Sequence, residues 1–333
     1  MKQIQIGLAG CGAFGECHLR TLAAEPRAKV MALFDIDLDR AAALAARYNV
    51  PRICESIDEL CALPELDAID VVTIEGAHCE PVIKALDAGK DVFVEKPLAT
   101  TLEECGRMVR AANASGRILM VGQTLRFETK YAILKDEIAS GGLGEPVSMH
   151  ARRNRPKSLL PVYGRTHPVL ENSIHDIDLM LWYTGRAVRR VRGYGRRATG
   201  GQNDDTFWGV LEFEGGALGV VETIWLLPSE AGIGIDDAFQ FVGTTGVANV
   251  QMLPGSLNFL LETGYRVPDA SYGPLACGVP RGAMRAELAY FVDCISEGRP
   301  CTAIRPEEAM EAVRIALALI ESAQRDADVV VMG

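Results

Sequence analysis

The sequence predicts an α/β protein with two domains: a doubly wound parallel sheet over residues 1–122, and an α+β domain with a large, mostly antiparallel sheet over residues 123–333. The chain of 333 residues is long enough for two domains. Up to about Gly122, short β-branched strands alternate with helical segments, which is the pattern of a parallel sheet. Further on, strands follow one another without intervening helices, which is typical of an antiparallel sheet.

The N-terminal part is predicted to contain five strands and four helices in alternation. The strands are Ile4–Ala9, Val30–Phe34, Val71–Thr73, Val92–Glu95 and Ile118–Val121. The helices are Phe14–Ala24, Leu38–Tyr48, Glu80–Ala88 and Leu102–Ala114. In the second of these helices, the alanine-rich run from Ala41 to Ala46 favours helix by intrinsic propensity.

The C-terminal part is predicted to begin with a helix, a long strand and a second helix. These are Lys130–Ser140, a strand from Pro146 towards Arg153, a loop from Arg155 to Pro168, and the helix Leu170–Tyr183. Further strands are predicted at Val188–Gly195, Thr206–Phe213, Ala217–Trp225, Phe239–Val242 and Val247–Val250. Gly215-Gly216 and Thr244-Thr245-Gly246 are typical of hairpin turns, and the helices Met284–Glu297 and Glu307–Gln324 close the chain.

Composition limits the classes of partner and the compartment. The net charge of −10 argues against nucleic acid or an anionic membrane as a partner. No segment is long and apolar enough to span a bilayer, and the N-terminus leads directly into a strand, so we expect no signal peptide. The nine cysteines form no C-x-x-C pair and no zinc-like cluster. We therefore expect reduced thiols in the cytoplasm and no metal.

The segment Gly10-Cys11-Gly12-Ala13-Phe14-Gly15 joins the first strand to the first helix, and Asp35 follows Gly15 by 20 residues. Glycines at these positions allow a tight turn, a close approach to a pyrophosphate, and packing of the helix on the sheet. The helix start at Ala13, Phe14 and Gly15 presents N–H groups and the positive end of the helix dipole to phosphates. The arrangement predicts dinucleotide binding, with an ordinary glycine-rich turn as the alternative.

Asp35 at the end of the second strand indicates which dinucleotide binds. Its carboxylate can accept the hydroxyls of the adenosine ribose and would repel a 2′-phosphate, which favours NAD over NADP. Arg40 is expected to pair with Asp37 or Asp39 rather than to hold a phosphate. The alternative is that Asp35 only forms the turn at the end of the strand.

Glu95-Lys96-Pro97 directly follows the apolar run Val92-Phe93-Val94. Because ligands bind beyond the carboxyl ends of such strands, Lys96 leaves the sheet where a nicotinamide should lie. Pro97 restricts Lys96 to an extended backbone, which would aim its side chain reproducibly. The ammonium group can hydrogen-bond a substrate hydroxyl and stabilise developing alkoxide charge. The alternative is an ordinary surface lysine.

The segment from Glu171 to Asp178 reads Glu-Asn-Ser-Ile-His-Asp-Ile-Asp. On a helix, Glu171 and His175 are i, i+4 neighbours and Asn172 and His175 are i, i+3 neighbours, so one face presents a carboxylate, an amide and an imidazole. An imidazole oriented by a carboxylate suits the removal of a hydroxyl proton near neutral pH. A packed helix histidine flanked by capping acids is the alternative, and spacing alone leaves the two open.

Arg152, Arg153, Arg155 and Lys157 form a basic run in an acidic protein. Alternation along a strand sends Arg153 and Arg155 to one face and Arg152 to the other. The run is either a solvated or interface edge, or it places an arginine such as Arg153 on an anionic group of a substrate. His167 is predicted to lie on the substrate side of the same loop.

The glycine motif, the Glu95-Lys96-Pro97 step and the histidine helix occur in the order seen in the Gfo/Idh/MocA oxidoreductases, which the sequence resembles over nearly its whole length. Thr73 to His78 resembles the family segment T-P-x-x-x-H. The segments Ala88-Gly89-Lys90, Arg126-Phe127 and Gly142-Leu143-Gly144-Glu145-Pro146 also fit the family pattern. The resemblance implies a Rossmann domain that binds NAD, followed by a domain whose open sheet forms the interface of a homodimer or homotetramer.

The resemblance also implies an activity, namely NAD-dependent dehydrogenation of a secondary hydroxyl on a sugar, cyclitol or sugar acid. It makes His175 the general acid/base, oriented by Glu171, and makes Lys96 and Asn172 substrate contacts. It places four further positions beside the cofactor: Thr73, His78, Glu95 and Lys96. An NAD-dependent glycosidase on the same scaffold and a non-catalytic NAD-binding regulator are the alternatives, although a pure sensor needs neither Lys96 nor His175.

The sequence departs from the family pattern at two places. Glu171 stands where the family usually has aspartate, and its longer side chain puts its orienting role in question. Ile74 replaces the proline after Thr73, so the loop beside the cofactor is expected to differ in shape. His18 and His78 match family positions, and both are expected to make packing or cofactor-side contacts.

Overall fold

The computed structural model describes residues 3–230, 232–251, 257–262 and 264–331. The chain forms two compact units, of which the first contains residues 1–127 and 271–310 and the second contains residues 128–270 and 311–333. This division differs from the predicted single boundary after residue 122, because residues 271–310 belong with the N-terminal unit. The functional roles predicted for the two parts of the chain stay predictions.

The first unit is built on a six-stranded parallel sheet. Its strands are β1 (Ile4–Ala9), β2 (Ala28–Phe34), β3 (Arg52–Ile53), β4 (Ala68–Val71), β5 (Asp91–Glu95) and β6 (Leu119–Gly122). They lie in the order β3-β2-β1-β4-β5-β6, and every neighbouring pair is parallel. The predicted doubly wound sheet is confirmed. Its strand order reverses between β1 and β4, which is where ligands bind in such sheets.

Five helices alternate with these strands. They are α1 (Ala13–Ala23), α2 (Leu38–Tyr48), α3 (Ile57–Ala62), α4 (Cys79–Asp87) and α5 (Leu102–Ser115). The side chains of Asp37, Ser56 and Thr101 cap α2, α3 and α5 by accepting a backbone N–H. β3 and α3 were not predicted from the sequence, because such short elements carry no periodic pattern. Thr73 was predicted to lie in a strand, whereas β4 ends at Val71.

Most of the strands that follow in the sequence belong to a second, larger sheet. The strands are β7 (Pro146–Asn154), β8 (Val188–Arg196), β9 (Thr206–Phe213), β10 (Leu218–Ile224), β11 (Asp236–Gly243), β12 (Val247–Gln251), β13 (Phe259–Leu261), β14 (Gly264–Arg266), β15 (Leu275–Ala276), β16 (Val279–Pro280) and β17 (Val329–Val330). Seven of them form a sheet in the order β12-β11-β7-β10-β9-β8-β17. Among its described strands only the β7–β10 pair is parallel, so the predicted mostly antiparallel sheet is confirmed.

Five further α-helices lie within the ranges that the structure describes. They are α6 (Thr129–Ser140), α7 (Leu160–Tyr163), α8 (Ile174–Thr184), α9 (Ala283–Glu297) and α10 (Pro306–Arg325). Short 3-10 turns occur at Glu75–Ala77, Thr124–Phe127 and Lys157–Leu159, and a π-helical turn, Val169–Ser173, precedes α8. A Cβ on Gly193 or Gly209 would collide with Leu319, so these two glycines let α10 pack closely on β8 and β9.

Candidate active site

The glycine loop lies at the point where the strand order of the parallel sheet reverses. Gly10 has φ +104°, and a Cβ there would collide with the carbonyl oxygen of Val72, so only glycine fits. A Cβ on Gly15 would collide with the carbonyl oxygen of Gly10. In contrast, a Cβ on Gly12 would meet nothing within 4 Å, so open space borders the loop at that residue. The loop therefore packs tightly at Gly10 and Gly15 and is open at Gly12.

The start of α1 fits a phosphate group. Gly12 is the N-cap and no side chain caps the helix, which leaves the first N–H groups for another acceptor. Ala13 and Phe14, in the first turn, are exposed. The residues present thus fit the pyrophosphate of a dinucleotide.

Asp35 is buried at the end of β2 and is tied to the same loop. Its Oδ2 accepts the N–H of Cys11 at 2.6 Å, and its Oδ1 accepts the N–H of Asp37 at 2.8 Å. Arg40 donates to Asp37 at 3.0 Å, as the sequence analysis expected. Burial, with the Asp35 charge adding to it, raises the pKa of Cys11 to about 12, so this thiol is neutral near neutral pH. A carboxylate therefore stands beside the glycine loop, where a ribose hydroxyl would need an acceptor.

Glu95 and Lys96 lie at the carboxyl end of β5, and contacts made by Glu95 and His78 hold this corner. Glu95 Oε2 accepts the backbone N–H of Lys96 at 3.1 Å. His78 is buried, with Nδ1 2.9 Å from the carbonyl oxygen of Pro97 and Nε2 3.1 Å from that of Thr73. Burial lowers the pKa of His78, and the hydrogen bonds to Pro97 and Thr73 oppose that shift in part. His78 makes the packing contacts expected of it, and the cofactor contact predicted for it stays a prediction.

The loop after β4 has its own local structure. Thr73 Oγ1 donates to the carbonyl oxygen of Ala77 at 3.2 Å, which closes the 3-10 turn Glu75–Ala77. Ile74, at the position where the family usually has proline, is exposed, whereas Glu75 is buried. The predicted contact of Thr73 with the cofactor stays a prediction.

A buried chain of charged groups connects α1, β4 and β5. His18 Nδ1 lies 3.0 Å from Asp70 Oδ2, and its Nε2 lies 3.1 Å from Glu95 Oε1. Burial alone would lower the pKa of His18, but the charges and hydrogen bonds of Asp70 and Glu95 raise it well above its usual value. The imidazole is therefore cationic and donates to both carboxylates. His18 makes internal contacts, as expected of it.

Sequence analysis missed Asp70 and a further acid, Glu287. Asp70 stands inside the otherwise apolar strand β4, and that position was the available signal. Glu287 is 1% exposed, and its Oε1 has no hydrogen-bond partner in the part of the chain that the structure describes. The sequence feature that indicates burial of Glu287 is its position four residues before Phe291, on the buried face of α9. Burial and the nearby charge of Glu95 raise the pKa of Glu287 well above its usual value, so it is neutral at neutral pH.

Glu287→Gln is expected to stabilise the protein at neutral pH. Near neutral pH the unfolded wild-type chain ionises this carboxyl, whereas the folded chain must keep it neutral, so wild-type stability falls as pH rises above the carboxyl's ordinary pKa. The advantage of the glutamine variant should therefore grow as the pH rises through and above the ordinary range of a carboxyl group, by up to about 1.4 kcal/mol per pH unit. Urea unfolding of both proteins across this range measures it.

Glu103→Gln, at an exposed position of α5, serves as the control and should show no such trend. A Glu287→Gln variant whose stability relative to wild type stays constant or falls with rising pH would show that Glu287 is ionised in the folded protein.

In the second unit, Glu171 and His175 are the accessible residues of an otherwise buried segment. Between residues 168 and 180 only Glu171 and His175 are partly exposed, and all the remaining residues are buried. The sequence predicted a continuous α-helix here, but the π-helical turn Val169–Ser173 comes first and α8 follows it. Single π-turns within helices are frequent at functional sites. The segment thus presents a carboxylate and an imidazole to the surroundings and buries the rest.

Arg153 corrects both interpretations of the basic run. It is neither at a solvated edge nor placed to hold a substrate anion, because it is 1% exposed and already paired. Its guanidinium donates to both oxygens of Asp176, at 2.9 and 2.7 Å, and to Asp237 at 2.7 Å. Arg155 also donates to Asp237, at 2.5 Å, so Arg153 and Arg155 do share a face. The cluster ties β7 and β11 to the residue that follows His175.

Asn172 is also largely committed to internal contacts. Its Nδ2 donates to the carbonyl oxygen of Arg153 at 2.9 Å and to Thr223 Oγ1 at 3.1 Å. The two N–H groups of the amide are thus used within the unit. The predicted contact of Asn172 with substrate stays a prediction, and it depends on the amide oxygen.

His167 lies beside a cavity of about 290 Å³ in the second unit. Its Nε2 lies 3.3 Å from Asp204 Oδ2, and its Nδ1 accepts the N–H of Val169 at 3.3 Å. Burial lowers its pKa, so the ring is neutral. The flanking residues Thr166 and Pro168 line the cavity together with Asp204 and Trp225. The position of His167 on the substrate side stays a prediction.

The described residues contain neither a helix that could span a membrane nor a cluster of metal ligands. No helix in the described ranges is long and apolar enough to cross a bilayer. Within the same ranges, no group of three or more His, Cys, Asp or Glu side chains is arranged to hold a metal ion.

The fold and the glycine loop define a class of protein, the dinucleotide-binding oxidoreductases with a Rossmann unit. Residues 4–123 match an oxidoreductase family with an NAD-binding Rossmann fold, and residues 131–249 match the GFO/IDH/MocA C-terminal domain. The chain belongs to the Gfo/Idh/MocA oxidoreductase family. The predicted family and its NAD-binding domain are confirmed.

Individual relatives agree with this assignment. The chain is 37% identical to the inositol 2-dehydrogenase of Acidothermus cellulolyticus over 59% of its own length and 58% of that protein. It is 34% identical to inositol 2-dehydrogenase 2 of Saccharopolyspora erythraea over 73% of its length and 72% of that protein. The structure of scyllo-inositol dehydrogenase from Lactobacillus casei with NAD(H) and scyllo-inositol matches with a TM-score of 0.85 at 21% identity, covering 99% of both chains, and supports the fold.

Proposed function

We propose that the protein is an NAD-dependent dehydrogenase that oxidises a secondary hydroxyl of a cyclitol, sugar or sugar acid. The single observation that carries this proposal is the exposure of Glu171 and His175 from an otherwise buried segment. A packed helix histidine has no need of that exposure, whereas a proton acceptor requires it. Two relatives that are named inositol 2-dehydrogenases make inositols the first substrates to test.

The cofactor is assigned to the first unit. Gly10, Gly12 and Gly15 shape the loop, and the N–H groups at Ala13 and Phe14 hold the pyrophosphate. Asp35 accepts the hydroxyls of the adenosine ribose. Thr73, His78 and Glu95 are proposed to lie along the nicotinamide end. When bound, NAD supplies the hydride acceptor for the substrate carbon.

The remaining residues are assigned to the substrate. Lys96 donates a hydrogen bond to the reacting hydroxyl and stabilises the negative charge that develops on its oxygen. His175 takes the hydroxyl proton, and Glu171 orients the imidazole and stabilises its cationic form. Asn172 and His167 contact other hydroxyls of the substrate.

The proposal is tested by screening NAD with purified protein against inositol isomers, sugars and sugar acids. Substrate-dependent accumulation of NADH, followed by absorbance, is the expected result. No accumulation with any of these classes, in protein shown to bind NAD, would contradict the proposed function.

NAD should bind at least about tenfold more tightly than NADP, because the Asp35 carboxylate would face the 2′-phosphate. Fluorescence titration with both cofactors measures the ratio. Asp35→Ala should narrow the gap between the two affinities, whereas Asp39→Ala, which removes an exposed carboxylate from the first turn of α2, should leave their ratio unchanged. Equal affinities in the wild type would remove Asp35 from its assigned role.

We also propose that the protein is a cytoplasmic homodimer or homotetramer that associates through the large sheet. Tyr194 and Trp208 are paired across β8 and β9 and are 55% and 41% exposed. The ring of His150 stacks on that of Trp208 with 6.4 Å between the ring centroids. The three aromatic residues therefore share one open face of the sheet. Exposed aromatic groups on one face favour association. Light scattering of the purified protein tests this, and a monomer at all concentrations would contradict it.

A further inference from the structure

The backbone of Lys96 lies at one end of a chain of buried side chains. The Lys96 N–H donates to Glu95 Oε2 at 3.1 Å, and Glu95 Oε1 accepts from His18 Nε2 at 3.1 Å. His18 Nδ1 in turn donates to Asp70 Oδ2 at 3.0 Å. All three side chains are at least nine-tenths buried. The chain therefore links α1, β4 and β5 to the peptide group that carries the Lys96 side chain.

The fold leaves room for this chain of groups. A Cβ on Gly122 of β6 would lie 2.8 Å from Glu95 Oε1, so a side chain at that position would displace the carboxylate. The ring of His18 is held edge-on against Phe93 at 5.6 Å. Glu95 is thus confined on several sides and accepts from His18 and Lys96 at once.

Ordinary packing does not explain three buried charges. Taking ions out of water is costly, and apolar side chains of similar volume often stabilise a protein equally well or better. In some proteins buried polar or ionic groups fix one particular conformation instead. The group at the end of this series of hydrogen bonds is the backbone N–H of Lys96, the lysine assigned to the reacting hydroxyl.

We propose that His18 is a positioning residue for Lys96, which it holds in place by fixing the Glu95 carboxylate that accepts the Lys96 N–H. The inference rests on the proposed function, since it concerns how the lysine assigned to the substrate is aimed. A displacement of about 1 Å at a reacting group is enough to cost about a hundredfold in rate. His18 itself touches neither substrate nor cofactor in this account.

The role depends on the charge of the imidazole, since only the cation donates from both nitrogens. The titratable groups that face it are Asp70 from β4, Glu95 from β5 and Glu287 from α9. Loss of the proton at high pH would release one carboxylate. Turnover should therefore fall on the alkaline side as His18 deprotonates.

The test compares His18→Gln with the wild type. Glutamine keeps a donor but carries no charge and cannot serve both carboxylates. We expect kcat to fall by about 10- to 100-fold, with the Kd for NAD changed by less than about twofold. The Lys96 amide should exchange its hydrogen faster, which hydrogen-exchange mass spectrometry measures on a peptide that contains it.

Lys90→Gln is the matched control. Lys90 is also a buried cation of the first unit, and its Nζ donates to the carbonyl oxygens of Leu63 and Leu66 at 2.7 and 2.8 Å. The variant should lose stability but keep kcat and the exchange rate of the Lys96 amide. An equal loss of kcat in both variants, or an unchanged Lys96 exchange rate in His18→Gln, would overturn the proposal.

A second variant, Asp70→Asn, decides the question if His18→Gln does not fold. It keeps an acceptor for His18 but removes one of the charges that favour the imidazolium, so the alkaline loss of activity should move to lower pH. The proposal would also be overturned if the alkaline loss of activity stayed at the wild-type pH and the Lys96 amide exchanged its hydrogen at the wild-type rate. If the wild type oxidises no polyol, the proposed function fails, and hydrogen exchange at Lys96 still tests the positioning role.

Discussion

Lys96→Ala is expected to lower kcat by about two to three orders of magnitude, the scale observed when a preorganised donor to a developing oxyanion is removed. The affinity for NAD should change little, because the assigned contacts to the pyrophosphate and ribose lie at the glycine loop and Asp35. Steady-state kinetics with NAD and a saturating polyol, combined with NAD titration, measure both quantities.

Lys84→Ala is the control for this variant. Lys84 lies on α4 of the same unit and forms ion pairs with Asp58 and Glu80 at 2.8 Å. Its removal should leave kcat unchanged. Near-normal turnover in Lys96→Ala would reduce Lys96 to an ordinary surface lysine and would also remove the purpose proposed for the chain of charges behind it.

His175→Ala is expected to cost about a hundredfold or more in turnover, the usual scale for a general acid–base group. In the oxidative direction, activity should rise with pH as the imidazole loses its proton, and this limb of the profile should vanish in the variant. The measurement is kcat as a function of pH for both proteins. An unchanged profile in His175→Ala would assign the proton to another group and would leave His175 as a packed helix residue.

The companion variants at Glu171 separate charge from orientation. Glu171→Gln removes the charge that stabilises the imidazolium, so the rise of activity with pH should occur at lower pH. Glu171→Asp restores the residue usual in the family and should retain substantial activity if orientation is all that Glu171 supplies. A loss in Glu171→Asp as large as in Glu171→Gln would show that the length of the side chain matters here.

Local patterns predicted much of the fold, including the loop and the strand ends to which the cofactor is assigned. The Gly10–Gly15 loop, Asp35 and the strand before Lys96 follow rules that act over a few residues, such as turn geometry and strand alternation. The structure places each of them where the rule predicted. The pairing of Arg40 with Asp37, three residues apart, followed in the same way.

Contacts between distant residues could not be predicted in this way. Arg153 was interpreted as an edge or substrate residue, but its partners Asp176 and Asp237 lie 23 and 84 positions away. His18 meets Asp70 and Glu95 at separations of 52 and 77 positions. A single sequence carries no information about such pairs beyond the presence of a charge in an apolar strand or helix face.

The π-helical turn before α8 was missed for a different reason. A helical periodicity of 3.6 residues fits the segment from Leu170 to Tyr183 well enough to predict a single α-helix. The wider turn at Val169–Ser173 shifts the first residues around the axis, which periodicity does not resolve. The assignment of Glu171 and His175 to proton transfer therefore depends on their partial exposure rather than on their spacing.

The proposed function is hydride transfer from a polyol to NAD with release of both products. It is tested most sharply by measuring substrate consumed, NADH formed and ketone formed when the purified protein receives NAD and, in turn, inositols, sugars and sugar glycosides. NADH and ketone should form in equal amounts, and the Lys96→Ala, His175→Ala double variant should form neither. Consumption of a sugar glycoside without net NADH would contradict it, because the oxidation would then be reversed within the catalytic cycle, as in an NAD-dependent glycosidase.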